Sequence, residues 1–203
     1  MFTELDVVNA CLATIGETPL VELEDDHDMV AAARQTMRQS TVAVMHRPWW
    51  FNTDFVTLQV ANDHFIYVPR DAVAVNVRGR NDLTQRGRRL YNRFESTYEM
   101  TGPVHAIVTR DLPFDDLPSP AQLYLLNHTV LSFQTDFDGD NSKYQKLAQN
   151  LTQSYVSLNT EHIRQVALNG LESMFALVNK QRTSPTQRLM GNRTSRGGSI
   201  PVR

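Results

Sequence analysis

The sequence predicts an α+β fold: an antiparallel helical bundle, a small antiparallel β domain inserted into it, and an extended C-terminal tail. Three observations carry this. Apolar residues recur at helical spacing up to about residue 50 and again after residue 117. Between them, short β-patterned stretches are separated by turn residues. From about Thr183 the chain turns to Ser, Thr, Gly, Arg and Pro, and periodicity stops. The expected boundaries are 1–50 and 117–180 for the bundle, 51–116 for the β insertion and 181–203 for the tail. At 203 residues the chain is long enough to bury a core without a metal or a disulfide.

Each element has its own signal. Over residues 3–16, Thr3 is the expected N-cap and Asp6 imitates a capping box. Leu5, Val8, Leu12 and Ile15 form one stripe, Gly16 suits the position after the helix, and Pro19 is a stop. The acidic segment Glu22, Glu24, Asp25, Asp26 and Asp28 reads as a solvated helix start, where carboxylates meet the positive end of the macrodipole. The next helix, 28–46, carries Val30, Ala33, Met37 and Val44 on one stripe and ends before Pro48. Trp49, Trp50 and Phe51 then form an aromatic knot expected to glue sheet to bundle. Trp50 is taken as its core member, so that Trp50→Ala is expected to cost about 3–5 kcal/mol.

Strands are expected over 55–60, 65–68, 72–77, 89–91 and 104–109. Turn signals separate them at Asn62-Asp63, Pro69, Arg80-Asn81-Asp82 and Gly102-Pro103. Alternation is cleanest at Val73, Val75 and Val77. A proline-rich connector, 111–120, leads back to a helix over 119–135. Ser119 or Asp116 is its expected cap, with Leu123, Leu126, Val130 and Phe133 on one face. After the turn at 138–141, Tyr144, Leu147, Leu151, Tyr155 and Leu158 continue helically. Ile163, Val166, Leu171, Met174 and Val178 prolong the pattern.

Catalytic chemistry finds no foothold. A single cysteine, Cys11, excludes an intramolecular disulfide and fits the buried side of the first helix. No two of the six histidines have the spacing of paired metal ligands on one helix. Asp136, Asp138 and Asp140 invite a calcium loop, but its glycine and glutamate positions hold Asn141 and Leu147. Phosphate-binding, dinucleotide-binding and nucleophile-elbow motifs are missing. No cofactor, metal or catalytic residue is therefore assigned, and no enzyme activity is expected. With neither a signal peptide nor a spanning segment, a soluble intracellular chain without a membrane partner is expected.

Charge is unevenly placed. The net is −2, yet from Lys180 onward there are six basic residues and no acid. Before Lys180 stand fourteen basic and twenty-two acidic residues. In the tail, Arg182, Arg188, Arg193, Arg196 and Arg203 are the candidate partner-binding residues. A second cluster, Arg78, Arg80, Arg86, Arg88, Arg89 and Arg93, is opposed within 78–93 only by Asp82. Such arginines could grip phosphates or meet acids of a neighbouring subunit. They and Glu22, Glu24, Asp25 and Asp26 are the candidate subunit interface.

Several segments together resemble a known family. The stretch VNACLATIGETPL at 8–20, WWFN at 49–52, Leu90-Tyr91-Asn92 followed by Phe94 and Thr97, and LPFDDLP at 112–118 occur in order. This series resembles the tail tubular protein A family of short-tailed phages, which more often has aspartate where Asn92 stands. The resemblance implies a head-to-tail adaptor, a ring of roughly a dozen copies built by the helical bundle. It implies as partners a portal protein above, a tail nozzle protein below, and tail fibres as a further candidate. Double-stranded DNA would pass through the lumen without sequence-specific binding. It further implies residence in the virion tail after synthesis and assembly in the host cytoplasm, and no cofactor. Two alternatives stand beside it: a double-stranded DNA-binding module using the basic tail, and a virion-associated cell-envelope hydrolase.

Overall fold

A computed structural model describes residues 1–23 and 27–182, with side chains as far as residue 167. Among the described residues the fold is α+β, with four α-helices and two small antiparallel sheets. Its contacts divide the chain into two units, Met1–His162 and Ile163–Arg203. All the cores described below belong to the first.

Helix α1 (Glu4–Ile15) begins with the expected capping box. Thr3 Oγ1 accepts from the Asp6 amide, and Asp6 Oδ2 accepts from the Thr3 amide at 2.8 Å. Gly16 ends it in the left-handed region, φ +82°. Its buried face is Val7, Val8, Cys11 and Leu12, whereas Leu5 and Ile15 are half-buried. Helix α2 (Asp28–Met45) is capped by a residue type outside the usual set: the His27 ring accepts from the Met29 amide at 3.1 Å. Val30, Ala33, Met37 and Val44 are all buried, as their spacing predicts. Glu24, Asp25 and Asp26 lie outside the described residues.

Strands β1 (Thr53–Leu58), β2 (Ala72–Val77) and β5 (Val104–Arg110) form one sheet in the order β1-β5-β2. Strands β3 (Leu83–Arg86) and β4 (Arg89–Asn92) form a separate hairpin. Three expectations change here. The stretch 65–68 makes only isolated bridges, Val60 to Ile66 and Tyr67 to Arg89. Strand β3 was not expected. A bulge between Ala72 and Ala74 shifts the phase of β2, so Ala72 rather than Val73 joins Val75 and Val77 against the core. That core is formed by Leu58, Ile66, Val68, Val77, Leu83, Leu90, Met100, Val104, Ala106 and Val108.

After a 3-10 turn at Phe114–Asp116, helix α3 spans Ser119–Phe137. Neither Ser119 nor Asp116 caps it. Pro118 takes the N-cap position without a side-chain bond, and Pro120 supplies a pre-set φ in the first turn. Its buried face is Ala121, Gln122, Leu125, Thr129, Val130, Phe133 and Gln134, and Leu123 is exposed instead. Helix α4 runs Asn141–Arg182. Among its described side chains Leu158 is the most deeply buried, while Ile163 and Val166 are exposed. Leu171, Met174, Val178 and Arg182 fall beyond the described side chains, and residues 183–203 lie outside the described residues.

Two helical cores result. One joins Val8, Cys11 and Leu12 to Val30, Ala33, Val130 and Phe133. The other joins Val44, Met45 and Trp49 to Leu117, Ala121, Leu125 and Leu158. Trp49 is the plug, 2% exposed, with its indole N–H donating to the Val44 carbonyl at 3.0 Å. Trp50 is only half-buried, which corrects the role expected for it. Asn52, also buried, organises the knot: it accepts from the Trp49 amide at 2.8 Å and donates to the Met45 carbonyl at 3.1 Å.

Candidate assembly surface

The arginine cluster of 78–93 lands on and around the β3–β4 hairpin. Gly87, at φ +59°, supplies the positive φ that a two-residue turn needs at its first position. Strand β4 alternates cleanly: Leu90 and Asn92 are buried, while Arg89 and Tyr91 lie on the other face. On that outer face cations and rings interleave. The Arg86 guanidinium sits 3.7 Å from the Tyr91 ring centre, and Tyr91 meets Tyr98 edge-on at 4.8 Å. Arg89 lies over Tyr98 at 4.4 Å and over Phe65 at 5.1 Å. Arg78 approaches Phe55, a ring that is 70% exposed, at 5.3 Å. Each such contact is worth about 0.5–1 kcal/mol at an exposed site and holds the guanidinium in a fixed place.

Two members of the cluster work inside the chain. Arg80 makes a two-pronged pair with Asp82 at 2.6 and 2.8 Å, which holds the Asp82 carboxyl below its usual range. Arg93 donates to the Asn81 carbonyl and, through its amide, to Asp82 O at 2.7 Å, so it ties the turn before β3 to the end of β4. Arg88 stands exposed at the hairpin tip. Among the described residues, no carboxylate lies within 4.0 Å of the Arg86, Arg88, Arg89 or Arg93 guanidinium.

The acidic candidates are only partly visible. Glu22 and Asp28 are exposed on the α1–α2 connection, beside Glu17, whose carboxylate is 3.7 Å from His27 Nε2. The structure does not bring Glu22 and the hairpin arginines together within one chain. In the tail, Arg182 ends α4 with its side chain undescribed, and Arg188, Arg193, Arg196 and Arg203 lie outside the described residues.

The sequence reading missed the aromatic partners Phe65, Tyr91 and Tyr98, and with them β3. The signal was present in LTQR-GR-RLYN, two short β-patterned runs about a two-residue turn led by glycine. It also missed Arg47, which lies over Trp49 at 4.4 Å and donates to the Tyr155 hydroxyl and to Asn159 Oδ1 at 3.1 Å. Beside it, His162 meets Trp49 edge-on at 5.5 Å, and burial, helped by the Arg47 charge, pushes its pKa down.

Nucleophilic chemistry has poor footing in this arrangement. Burial pushes the Cys11 thiol up to about 12, so it stays protonated. The His128 ring lies 3.0 Å from Ser40 Oγ, but Ser40 is buried, 2% exposed, which leaves its hydroxyl poorly reachable as a nucleophile. Among the described residues, no group of three or more His, Cys, Asp or Glu side chains is placed to hold a metal ion. The candidate calcium loop is drawn into local bonds: Asp138 pairs with Lys143 at 2.7 Å, and Asp140 accepts from the Ser142 amide at 2.7 Å. What the surface offers is fixed positive charge, suited to binding oxyanions.

Comparison with known proteins points the same way. A family model described as tail tubular protein matches residues 5–168, which takes in the bundle and the β insertion together. The chain is also similar to tail tubular protein A of Klebsiella phage KP34, 26% identical over 174 residues, 85% of this chain and 94% of that protein.

Proposed function

The chain belongs to the tail tubular protein family, a structural component of the phage tail, and from that premise we propose that it is the head-to-tail adaptor of a short-tailed phage. In this reading roughly a dozen copies close into a ring between portal and nozzle, and genomic DNA passes through its lumen. The observation that carries the reading is the family match running unbroken through helices and β insertion alike.

The architecture supports an assembly role. Closed helical cores, side-chain caps at the starts of α1 and α2 and a plugged junction favour a stiff block, which is what a ring under load needs. A ring joins its copies head to tail, so each copy needs two different complementary patches. The basic run beginning at Lys180, with Arg182, Arg188, Arg193, Arg196 and Arg203, is the part we assign to the portal contact. No helix among the described residues is long and apolar enough to cross a membrane.

The test is the mass of the assembly formed when the purified chain meets purified portal rings. A portal-bound ring of many copies is the expected result. A chain that stays monomeric and ignores the portal, or that shows reproducible hydrolysis of peptidoglycan or polysaccharide, would sink the reading.

A further inference from the structure

We propose that Phe94, on the turn after β4, is a knob that one copy of this chain inserts into a groove between α1, α3 and α4 of the next copy. The inference rests on the assembly reading above and names a contact able to close the ring.

The knob is built to be shown. Among the described aromatic rings of Phe, Tyr and Trp, only Phe55 and Phe94 are more than half exposed. Arg78 covers Phe55, whereas Phe94, 78% exposed, meets neither a ring nor a cation among the described residues. The turn that carries it is fixed. The buried side chain of Asn92 accepts from the Phe94 amide at 3.0 Å and from the Glu95 amide at 3.2 Å. The backbones of Asn92 and Thr97 exchange two further bonds, and Ser96 takes φ +55°, a left-handed backbone that favours glycine. A bare ring held out on an ordered, strained turn adds nothing to the chain's own cores, so it points to a partner outside the chain. Because the turn is ordered beforehand, seating the ring costs little further entropy.

The hole lies on the bundle. A groove of about 430 Å³ opens there, with an apolar lining that includes Ala13, Leu126, Val130 and Leu147. Val130 belongs to the first helical core, and Leu126 and Leu147 pack against it, so a ring seated in the groove extends that core. A cavity of about 150 Å³ already holds benzene, so the space suffices for a phenyl ring. Two other grooves suit a ring less, because charge lines them: Glu4, Arg34, Arg38 and Asp111 in one, Arg80, Glu95 and Glu99 in the other.

Charge fits knob to hole. On the knob side Glu95 is held by Asn92 Nδ2 at 2.9 Å and Arg93 by the Asn81 carbonyl, whereas the Glu99 carboxylate has no partner among the described residues. On the groove Lys143 is held by Asp138 and the Thr14 carbonyl, each at 2.7 Å, whereas the Lys146 ammonium has no partner among the described residues. One uncommitted carboxylate thus stands beside the ring and one uncommitted ammonium beside the groove. Glu95 and Glu99 also repel phosphates, which disfavours a nucleobase as the group that stacks on Phe94. A knob on the β insertion and a hole on the bundle are different patches, so their contact is heterologous, the kind that closes a ring.

The experiment follows the assembly mass of the full chain by light scattering, with folding checked by circular dichroism. Phe94→Ala removes the knob and is expected to weaken self-association about tenfold to hundredfold, the contribution of burying one phenylalanine side chain. Ala13→Trp, at an exposed position of α1, fills the hole from its own chain and is expected to do the same. Glu99→Lys and Lys146→Glu are each expected to weaken assembly about twofold to fivefold, and a chain carrying both recovers it. That recovery separates a contact between copies from a general loss of stability. Assembly of Phe94→Ala or of Ala13→Trp at wild-type strength overturns the inference and leaves the adaptor reading intact. So does a double reversal no better than either single one. A Phe94→Ala chain that forms normal rings but no longer joins the portal also overturns it, and makes another protein the partner of the ring. A wild-type chain that never self-associates, with or without portal, overturns both.

Discussion

Asn9 and Leu20 hold each other twice. The Leu20 amide donates to Asn9 Oδ1 at 2.8 Å, and Asn9 Nδ2 donates to the Leu20 carbonyl at 3.1 Å. The loop that follows α1 is thereby folded back onto the helix it leaves. Gly16 makes the reversal possible with its left-handed backbone, and the side chain of Leu20 packs on the first helical core. The stretch VNACLATIGETPL is therefore one local device: clamp, cap, turn, anchor.

Replacing Asn9 with alanine removes both bonds and strands a half-buried amide and carbonyl. We expect a loss of about 1–3 kcal/mol, the cost of leaving such groups unpaired. Asn9→Asp keeps the acceptor for the Leu20 amide but sets a carboxylate oxygen against the Leu20 carbonyl, so it too should fall below wild type. Equilibrium urea unfolding of the three proteins checks both losses. If alanine and aspartate unfold at the same midpoint as wild type, the clamp contributes nothing.

The aromatic junction gives a sharper test between neighbours. Trp49 fills the second helical core and is hydrogen-bonded through its indole, while Trp50 is half-buried. Trp49→Ala is expected to cost about 3–5 kcal/mol and Trp50→Ala distinctly less. A thermal melt of both variants decides it. Equal losses would mean that the two indoles share the core.

How much of this was open to sequence reasoning depended on range. The capping box of Thr3 and Asp6 and the Gly16 cap are set within a few residues, and they were legible. The burial of Val30, Ala33, Met37 and Val44 was legible because helix α2 is regular. The phase of β2 was not, since its bulge is defined by the pairing of Ala72 and Ala74 with Arg110 and Thr109, far along the chain. The choice between Trp49 and Trp50 was not either: adjacent residues in a non-periodic turn carry no pattern that ranks them. The hairpin arginines were visible as charge, but the rings that hold them come from three separate segments. Only the fold brings Phe65, Tyr91 and Tyr98 together.

Two histidines set an expected pH response. Burial pushes His128 below the usual histidine range, and burial with the Arg47 charge does the same to His162. Both rings therefore bind protons more readily in the unfolded chain than in the folded one. Linkage fixes the sign: their contribution is fully present above about pH 6.5 and is lost as pH falls below it. Between about pH 6.5 and 5 the carboxylates stay ionised, so the slope there belongs to histidine. Denaturant midpoints should drop across that window in wild type and drop less in His128→Gln. A flat wild-type profile would show that neither ring is desolvated in solution.

The last prediction concerns residues 183–203, which could line the lumen and hold DNA or dock on the portal. Magnitudes favour docking. Four arginines from each of about twelve copies would set roughly fifty positive charges around one duplex, and each phosphate neutralised steepens the salt slope by about 0.9. Even a fraction of these contacts would grip the DNA, whereas a conduit has to let it slide out at ejection. A partner such as the portal can take up the same charges once, at assembly, and keep them. Deleting 183–203 is therefore expected to leave the rest of the chain folded, because both helical cores and the β core are built from residues before that point. The deletion should abolish stable association with the portal. Co-sedimentation of full-length and truncated chains with portal rings, beside duplex binding at near-physiological salt, reads the two outcomes separately. If the truncated chain still joins the portal and only its DNA affinity falls, the tail belongs to the lumen.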